Sequence, residues 1–256
     1  MLNQIDIQDI ITIAKEAGKA IMQLYKQDFE VEYKQDSSPL TLADKKANDI
    51  IEAGLSKLTV NFPILSEEGI DVPYKDRIHW EYFWLVDPLD GTKEFVKKND
   101  EFTVNIALIH KDTPVLGVVY APALGVCYWA KKGKGAFKDG KSLPLKVESQ
   151  RDIYKIVVSR SHMSDETQTF IDAIDTSKEK ELISIGSSLK ICLVAEGEAD
   201  IYPRLGPTME WDTGAAHAII NEAGVALKRY SNTGQSELKY NKKNLLNGYF
   251  LAMKVK

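Results

Sequence analysis

Cysteine is scarce in this sequence, and its scarcity excludes some kinds of chemistry. Two cysteines, Cys127 and Cys192, occur among 256 residues, and they lie far apart. They form neither a metal-ligand pair nor a redox motif, so cysteine-based metal and redox sites are excluded. We expect two buried or idle thiols, and such low cysteine use is compatible with a reducing cytoplasm.

Long apolar runs and an excess of positive charge are also lacking. No stretch approaches the roughly 20 apolar residues that a membrane-spanning helix needs, and no basic region followed by an apolar run stands at the N-terminus. We therefore expect no signal peptide, no stable membrane insertion and a cytoplasmic location, with a loose peripheral association with the inner membrane left open. The net charge of -4 offers no cationic surface to a nucleic acid polymer. Phosphate would have to be bound by local Lys, Arg or metal ions.

What is present is enough apolar sequence for a sizeable core. Hydrophobic residues make up 44% of the chain, which suffices for one compact unit or two closely packed lobes. Apolar residues at helical spacing predict helices over 5–25 and 42–58. Short apolar runs bounded by polar residues predict strands at 62–65, 82–86, 103–109, 115–120 and 126–130. A hairpin is expected at Lys111–Pro114.

The pattern changes near residue 150. From there on, strands and helices alternate, which argues for an α/β second half. The expected strands are 156–159, 182–185, 199–202 and 225–227, and the expected helices lie around 167–174, 188–196 and 211–223.

The sharpest chemical signal is the segment Asp87-Pro-Leu-Asp-Gly-Thr92, which follows a hydrophobic run. We expect Pro88 to stop the strand, so that Asp87 and Asp90 turn towards one point. Paired carboxylates repel each other unless a cation lies between them, and hard oxygen ligands suit Mg²⁺. Gly91 allows close approach of the backbone and Thr92 adds a hydroxyl and an N–H, which beside a metal would cradle phosphate. The alternative is a strand and turn with solvated acids.

Two further segments carry acids that, like Asp87 and Asp90, stand at expected strand ends or helix starts, where α/β folds place their sites. Glu67 and Glu68 follow a predicted strand, and their ordinary alternative is a solvated turn. Asp212 stands at the start of a predicted helix, where an acid is also a favourable cap. Thr41 with Asp44 three residues later resembles a capping box.

In combination these segments resemble the inositol monophosphatase superfamily. The motifs are Thr41-Leu-Ala-Asp44, Ser66-Glu-Glu68, Asp87-Pro-Leu-Asp-Gly-Thr92 and Trp211-Asp212, in the order and rough spacing of that family. Other segments resemble its 3′(2′),5′-bisphosphate nucleotidase (CysQ-type) branch, namely Asp90–Phe95, Val158-Ser-Arg-Ser-His162, Gly186-Ser-Ser-Leu-Lys190 and Tyr202–Thr208. One departure is Gly214, where an alanine is expected, and a glycine there should weaken the helix slightly.

The resemblance implies an α/β (α+β) fold, a layered αβαβα sandwich. Residues 1–150 would form an N-terminal α+β lobe with the metal and phosphate motifs, and residues 151–256 a C-terminal α/β lobe with the nucleotide-binding residues and the last metal ligand. The resemblance also implies two Mg²⁺ ions, with a third left open, and inhibition by Li⁺. The implied ligands are Glu67, Asp87, Asp90, Asp212 and the main-chain carbonyl of Leu89.

By the same resemblance, the activity would be hydrolysis of 3′-phosphoadenosine 5′-phosphate to AMP and phosphate by a metal-activated water. Glu67 would position that water, and Thr92 paired with Asp44 would help to take its proton, with no covalent enzyme intermediate. The expected substrate contacts are Glu67, Leu89, Asp90, Gly91, Thr92, His162, Ser187, Lys190, Arg204 and Asp212. His162 as a surface-loop residue, and Lys190 and Arg204 as solvated cations, are the ordinary alternatives.

Two other functions stay open at this point. An inositol or sugar phosphate phosphatase of the same fold would share every metal ligand. A catalytically silent metabolite-binding protein is disfavoured, because a silent relative need not retain a repulsive carboxylate cluster. The expected partner is a small phosphorylated nucleotide, and the protein is expected to be a monomer or a homodimer.

Overall fold

The structure, a computed structural model, describes residues 1–26, 42–144, 152–160, 163–231 and 234–254. The predicted roles of Thr41 and His162 fall outside these residues. The predicted lobe boundary at residue 150 also lies outside them, and it stays a prediction.

Two helices cover one side of the molecule. α1 spans Ile7–Tyr25 and begins at Asp6, whose carboxylate accepts the Gln8 N–H at 3.0 Å. The apolar positions of its predicted face are all buried, which confirms the helix. α2 spans Leu42–Leu55 and ends three residues before the predicted end at Leu58.

A seven-stranded sheet follows, with its strands side by side in chain order. The strands are β1 Ile64–Ser66, β2 Tyr82–Asp90, β3 Thr103–His110, β4 Thr113–Ala121, β5 Val126–Lys131, β6 Gly135–Lys138 and β7 Lys141–Ser142, with the short helices α3 Tyr74–Arg77 and α4 Thr92–Val96 between them. β1 runs parallel to β2, and the other neighbours are antiparallel, including the predicted hairpin between β3 and β4.

The second half supplies a six-stranded sheet and three helices. The strands are β8 Ile153–Ser159, β9 Glu179–Ile185, β10 Ile201–Arg204, β11 Thr208–Met209, β12 Val225–Ser231, β13 Gly234–Glu237, β14 Leu246–Asn247 and β15 Phe250–Lys254; the helices are α5 Asp165–Asp172, α6 Leu189–Ala195 and α7 Glu210–Glu222. The sheet has the order β13-β12-β15-β10-β8-β9, and β11 pairs with β14 in a separate two-stranded ribbon.

Burial arranges these elements in five layers. Trp84 and Val86 of β2 pack in one core with α1 and α2, whereas Phe83 and Leu85 pack in another with α6 and α7. The second core also contains side chains of the second sheet, and a third, smaller core joins that sheet to α5. The order is therefore helices, sheet, helices, sheet, helix, which confirms the αβαβα sandwich.

The prediction that Pro88 ends its strand is wrong. β2 continues to Asp90, and its register against β3 shifts, because Asp87 pairs with Asn105 and Asp90 pairs with Thr103. Between these two pairs β2 advances by three residues and β3 by two, so β2 contains one extra residue and forms a β-bulge. A bulge accommodates a proline because the missing N–H is not required for the ladder there.

The unexpected Gly214 has a packing role in this structure. A Cβ at this position would lie 2.9 Å from Leu85 Cδ2 and 3.3 Å from Ala107 Cβ. The glycine therefore lets α7 approach the first sheet closely. As to membranes, none of the helices within the described residues combines the length and apolar content that crossing a bilayer would demand.

Candidate active site

Three of the four predicted acidic ligands come together at one point. Carboxylate oxygens of Glu67, Asp87 and Asp212 all lie within 4.8 Å of one another. Glu67 directly follows β1 and its N–H donates to the Val86 carbonyl at 3.1 Å, which holds it beside β2. Asp212 lies in the first turn of α7, where Oδ2 accepts the Met209 N–H at 2.9 Å. Asp212 therefore caps the helix and also faces the acidic cluster.

The fourth acid, Asp90, adjoins this cluster from the end of β2. Its charge raises the pKa of Glu67, Asp87 and Asp212. Its Oδ2 lies 3.0 Å from Ser188 Oγ and 3.4 Å from Asn105 Nδ2, both of which can donate to it. The pKa of Asp90 is raised by burial, and Lys190 and Ser188 oppose that rise.

Burial and mutual repulsion raise the pKa values of the clustered carboxylates. Burial raises the pKa of Asp212 to about 8, and Asp90 adds to the rise. Glu67 is exposed as a residue, but its carboxylate points into the cluster, where desolvation and then Asp90 raise its pKa to about 7. Burial and the surrounding acids hold the pKa of Asp87 well above its usual range. Such a cluster is costly to ionise unless a cation compensates it.

Asp44 extends the acidic cluster towards α2. It is buried, and its pKa rises to about 8, first through burial and then through the charges of Glu68 and Glu67. All of these side chains offer hard carboxylate oxygens, the donors that Mg²⁺ and Ca²⁺ prefer. The donor set therefore fits a hard divalent cation.

The backbone after Asp90 forms a tight turn that only glycine suits. Gly91 has φ +96°, and a Cβ there would lie 3.1 Å from the Glu101 carbonyl oxygen. Thr92 then begins α4, and its hydroxyl lies 3.5 Å from the Leu89 carbonyl oxygen. The Leu89 N–H in turn donates to Asp87 Oδ1 at 3.1 Å. Gly91 and Thr92 line the same cleft as Asp90 and Asp212.

A cleft of about 300 Å³ is lined by Asp90 and Asp212 together with predicted substrate contacts in the second half of the chain. Burial lowers the pKa of Lys190 to about 8, against the opposing charge of Asp90, and Arg204 lowers it further. Within the described part of the chain, Ser187 Oγ and Arg204 Nε are buried without a hydrogen-bond partner. Buried polar atoms normally have partners, so both atoms are suited to an anionic ligand. The lining includes Asp90, Gly91, Thr92, Ser187, Lys190, Arg204 and Asp212.

Two residues of the site have no predicted role in the sequence analysis. Ser188 Oγ lies 2.6 Å from the Asp212 carbonyl oxygen and 2.9 Å from Asn105 Nδ2, in addition to its contact with Asp90. Ser188 lies inside the motif Gly186–Lys190, and Asn105 interrupts an apolar strand. A buried amide in the middle of such a strand is the signal that points to Asn105.

Comparison with known proteins gives a family match over most of the chain. The family model of the inositol monophosphatase family matches residues 3–252. This chain belongs to the inositol monophosphatase family. A Salmonella typhimurium protein named 3′(2′),5′-bisphosphate nucleotidase CysQ is 51% identical over 223 residues, which cover 85% of this chain and 88% of that protein. A Buchnera aphidicola protein of the same name is 42% identical over 253 residues, covering 96% and 92% of the two chains.

Solved structures of this family match the fold. CysQ from Bacteroides thetaiotaomicron, described as a bacterial member of the inositol monophosphatase family, superposes with a TM-score of 0.87 at 43% identity over 97% of each chain. A Thermotoga maritima IMPase, at 24% identity, shares the fold with a TM-score of 0.76 over 95% of this chain and 89% of that one. The predicted superfamily and fold are confirmed, and the Salmonella, Buchnera and Bacteroides proteins carry the name of the predicted branch.

Proposed function

We propose that this protein is a Mg²⁺-dependent 3′(2′),5′-bisphosphate nucleotidase that hydrolyses 3′-phosphoadenosine 5′-phosphate to AMP and phosphate. The observation that carries the proposal is the cleft in which Asp90 and Asp212 share a lining with Lys190 and Arg204. Asp212 at the same time belongs to the carboxylate cluster with Glu67 and Asp87. A substrate with two phosphates needs both features, one for the phosphate that is cleaved and one for the phosphate that stays. The similarity to proteins named CysQ supports the same substrate class.

The residues that would hold the metal are Glu67, Asp87, Asp90 and Asp212, together with the main-chain carbonyl of Leu89. We propose that the site binds two Mg²⁺ ions, with a third left open. When bound, such ions supply Lewis-acid polarisation of the phosphoryl group and lower the pKa of a water. The raised pKa values of Glu67 and Asp212 support this use, because a divalent cation would compensate the charges that repel each other.

The chain's own residues would orient the substrate and handle the proton. The N–H groups of Gly91 and Thr92 would donate to the phosphate that is cleaved. Glu67 would hold the attacking water, because its carboxylate belongs to the cluster while the residue remains exposed to solvent. Thr92 paired with Asp44 would take the proton of that water, and burial of Asp44 favours a proton on its carboxyl group. No side chain needs to form a covalent bond with phosphorus.

The phosphate that stays would meet Ser187, Lys190 and Arg204. The cationic groups can pair with phosphate oxygens, and a guanidinium can do so through two parallel hydrogen bonds. Ser187 Oγ and Arg204 Nε would gain the partners that they lack. His162 keeps its proposed contact with the nucleotide.

Relative rates on a panel of phosphate esters test the substrate proposal. We expect kcat/KM for 3′-phosphoadenosine 5′-phosphate to exceed that for inositol 1-phosphate and for sugar phosphates. Faster turnover of the inositol ester would replace the proposal with an inositol phosphatase. Absence of phosphate release from every ester at saturating Mg²⁺ would point to a metabolite-binding protein instead.

Asp90→Asn tests the assigned metal ligands. The change removes one charge and keeps the size of the side chain, so we expect phosphate release at low Mg²⁺ to fall by about 100-fold or more. Asp112→Asn, at an exposed acid in the β3–β4 turn, is the matched control and should leave the Mg²⁺ dependence unchanged. Near-normal activity of Asp90→Asn at low Mg²⁺ would refute the ligand role.

A further inference from the structure

Arg160 belongs to a motif that the sequence analysis singles out, yet it has no part in the chemistry proposed above. It directly follows β8, and its Nε and Nη2 each donate to a carboxylate oxygen of Glu101 at 2.7 Å. Nη2 also donates to the Ser184 carbonyl at 2.7 Å. A guanidinium and a carboxylate that meet through two parallel bonds fix their relative orientation. The pair therefore joins the loop between α4 and β3 to the second sheet.

Glu101 also contacts the loop that leads into α6. The Gly186 N–H donates to Glu101 Oε2 at 2.8 Å. A Cβ at Gly186 would lie 2.7 Å from the Glu101 carbonyl oxygen, so the two backbones are in close contact. The residues after Gly186 are Ser187 and Ser188, and Lys190 follows in the first turn of α6.

The same Glu101 carbonyl lies against the Gly91–Thr92 turn, which also lines the cleft. A Cβ at Gly91 would lie 3.1 Å from this oxygen. One residue thus lies between the Gly91–Thr92 turn and the Gly186–Lys190 loop. The glycines let both segments approach Glu101 closely, and the Arg160 ion pair holds Glu101 in place.

We propose that Glu101, held by Arg160, is a positioning residue that sets the spacing between the two phosphate subsites and so selects bisphosphates over monophosphates. This inference rests on the proposed function. A substrate with two phosphates must reach both segments at once, and small errors in their separation weaken its binding. A monophosphate uses only the Gly91–Thr92 side and is insensitive to that separation.

Steady-state kinetics of Glu101→Gln test the inference. Glutamine keeps the volume but places an NH₂ group where Glu101 accepts hydrogen bonds from Arg160 and Gly186. We expect KM for 3′-phosphoadenosine 5′-phosphate to rise about tenfold, the effect of losing one charge-assisted bond. We expect kcat for the bisphosphate, and both constants for adenosine 3′-monophosphate, to stay within about twofold.

Matched variants separate positioning from general damage. Arg160→Ala should raise KM for the bisphosphate as Glu101→Gln does. The KM of the double variant should not exceed the higher of the two single-variant values, because both changes act through one contact. Glu198→Gln removes a carboxylate from another ion pair, 2.6 Å from Lys155, and should leave both KM values unchanged. Arg160→Lys, which cannot make two parallel bonds, provides the same test should Glu101→Gln not fold.

Two results would overturn the inference. One is a folded Glu101→Gln enzyme in which KM is unchanged, or rises equally for both substrates. The other is a loss of bisphosphate binding in Arg160→Ala together with tighter binding in Glu101→Gln, which would make Arg160 a direct phosphate ligand. The wild-type enzyme reports separately on the proposed function, because a failure to prefer the bisphosphate would refute that function without any variant.

Discussion

The hydroxyl of Ser188 lies 3.0 Å from Oδ2 of Asp90, a residue 98 positions earlier in the chain. The same hydroxyl lies 2.6 Å from the main-chain carbonyl of Asp212. One serine at the start of α6 therefore contacts two proposed ligand residues, one at the end of β2 and the other in the first turn of α7. Its single proton is shared between an acidic side chain and the first turn of α7.

Replacing Ser188 with alanine should weaken the metal site without removing a proposed ligand. Asp90 loses a hydrogen bond that favours its charged form, and its pKa rises further. We expect the Mg²⁺ concentration for half-maximal activity to rise about 10-fold, as is common when a partner of a metal ligand is lost. Titration of activity with Mg²⁺ measures this shift. Ser56→Ala, at an exposed serine, is the control, and an equal response of both variants would contradict the assignment.

The stability of the metal-free protein should fall as the pH rises from about 6.5 to about 8. Asp44 and Asp212 have folded pKa values near 8 and Glu67 one near 7, all above their unfolded values. Folding therefore favours their protonated forms, and the stability that this provides at low pH is lost as the pH rises through these pKa values. Thermal unfolding in EDTA measures the decline, and saturating Mg²⁺ should abolish it.

Two other groups limit this decline to the range from about pH 6.5 to about pH 8, because each makes stability rise with pH outside it. Below about pH 6.5 the buried His217, whose pKa is lowered to about 3, destabilises the fold as the pH falls. Above about pH 8 the lowered pKa of Lys190 adds stability as the pH rises. Asp212→Asn is the matched variant: at pH 8 in EDTA it should be more stable than wild type by about 1.4 kcal/mol or more, the value of one pKa unit. A variant as pH-sensitive as wild type would argue against the cluster as the cause.

Arg204→Ala should impair the bisphosphate more than a monophosphate. Arg204 Nε is buried without a partner within the described residues, while Nη2 donates to the Pro207 carbonyl at 2.7 Å. Loss of a charged donor to phosphate should lower kcat/KM for 3′-phosphoadenosine 5′-phosphate by about 10- to 100-fold. Arg229→Ala, at an exposed arginine of β12, is the control. Equal losses for adenosine 3′-monophosphate and the bisphosphate would contradict the assigned contact.

Gly117→Ala should destabilise the fold strongly. A Cβ at this position in β4 would lie 2.1 Å from the Ala215 carbonyl oxygen of α7, and a backbone atom cannot rotate away. We expect a loss of about 3 kcal/mol or more in the free energy of unfolding, the upper range for overpacking. Urea unfolding measures it, and Gly206→Ala, whose Cβ would meet no atom closer than 3.9 Å, should change stability little. Comparable stability of the two variants would show that α7 can shift.

Apolar periodicity was sufficient to predict most of the elements. The spacing in Ile7–Tyr25 predicts α1 because one face of a helix repeats every three to four residues. β2 is different, because the sequence places Pro88 where a strand ordinarily ends. Whether a proline ends a strand or sits in a bulge depends on the pairing with β3, and that register is not encoded by local sequence.

The acids of the site could be predicted from their motifs, but the residues that contact them could not. Asp90 stands in a recognisable segment, whereas Asn105 and Ser188 are common residue types whose importance arises from tertiary contact. The same holds for Glu101, which meets Arg160 across 59 positions of the chain. Contacts of this kind follow from how the layers stack, and a sequence pattern of any single element does not contain them.

The position of α7 between the sheets makes the proposed metal site depend on the whole sandwich. This helix packs against β2, β3 and β4 on one side and β12 on the other, and it carries Asp212 at its start. Glu67, Asp87 and Asp90 come from the opposite half of the chain. A polypeptide interrupted between the halves would leave each fragment with an incomplete set of the proposed ligands, so neither fragment would contain the whole site. Under the proposed function, full activity would then require the two pieces to reassemble.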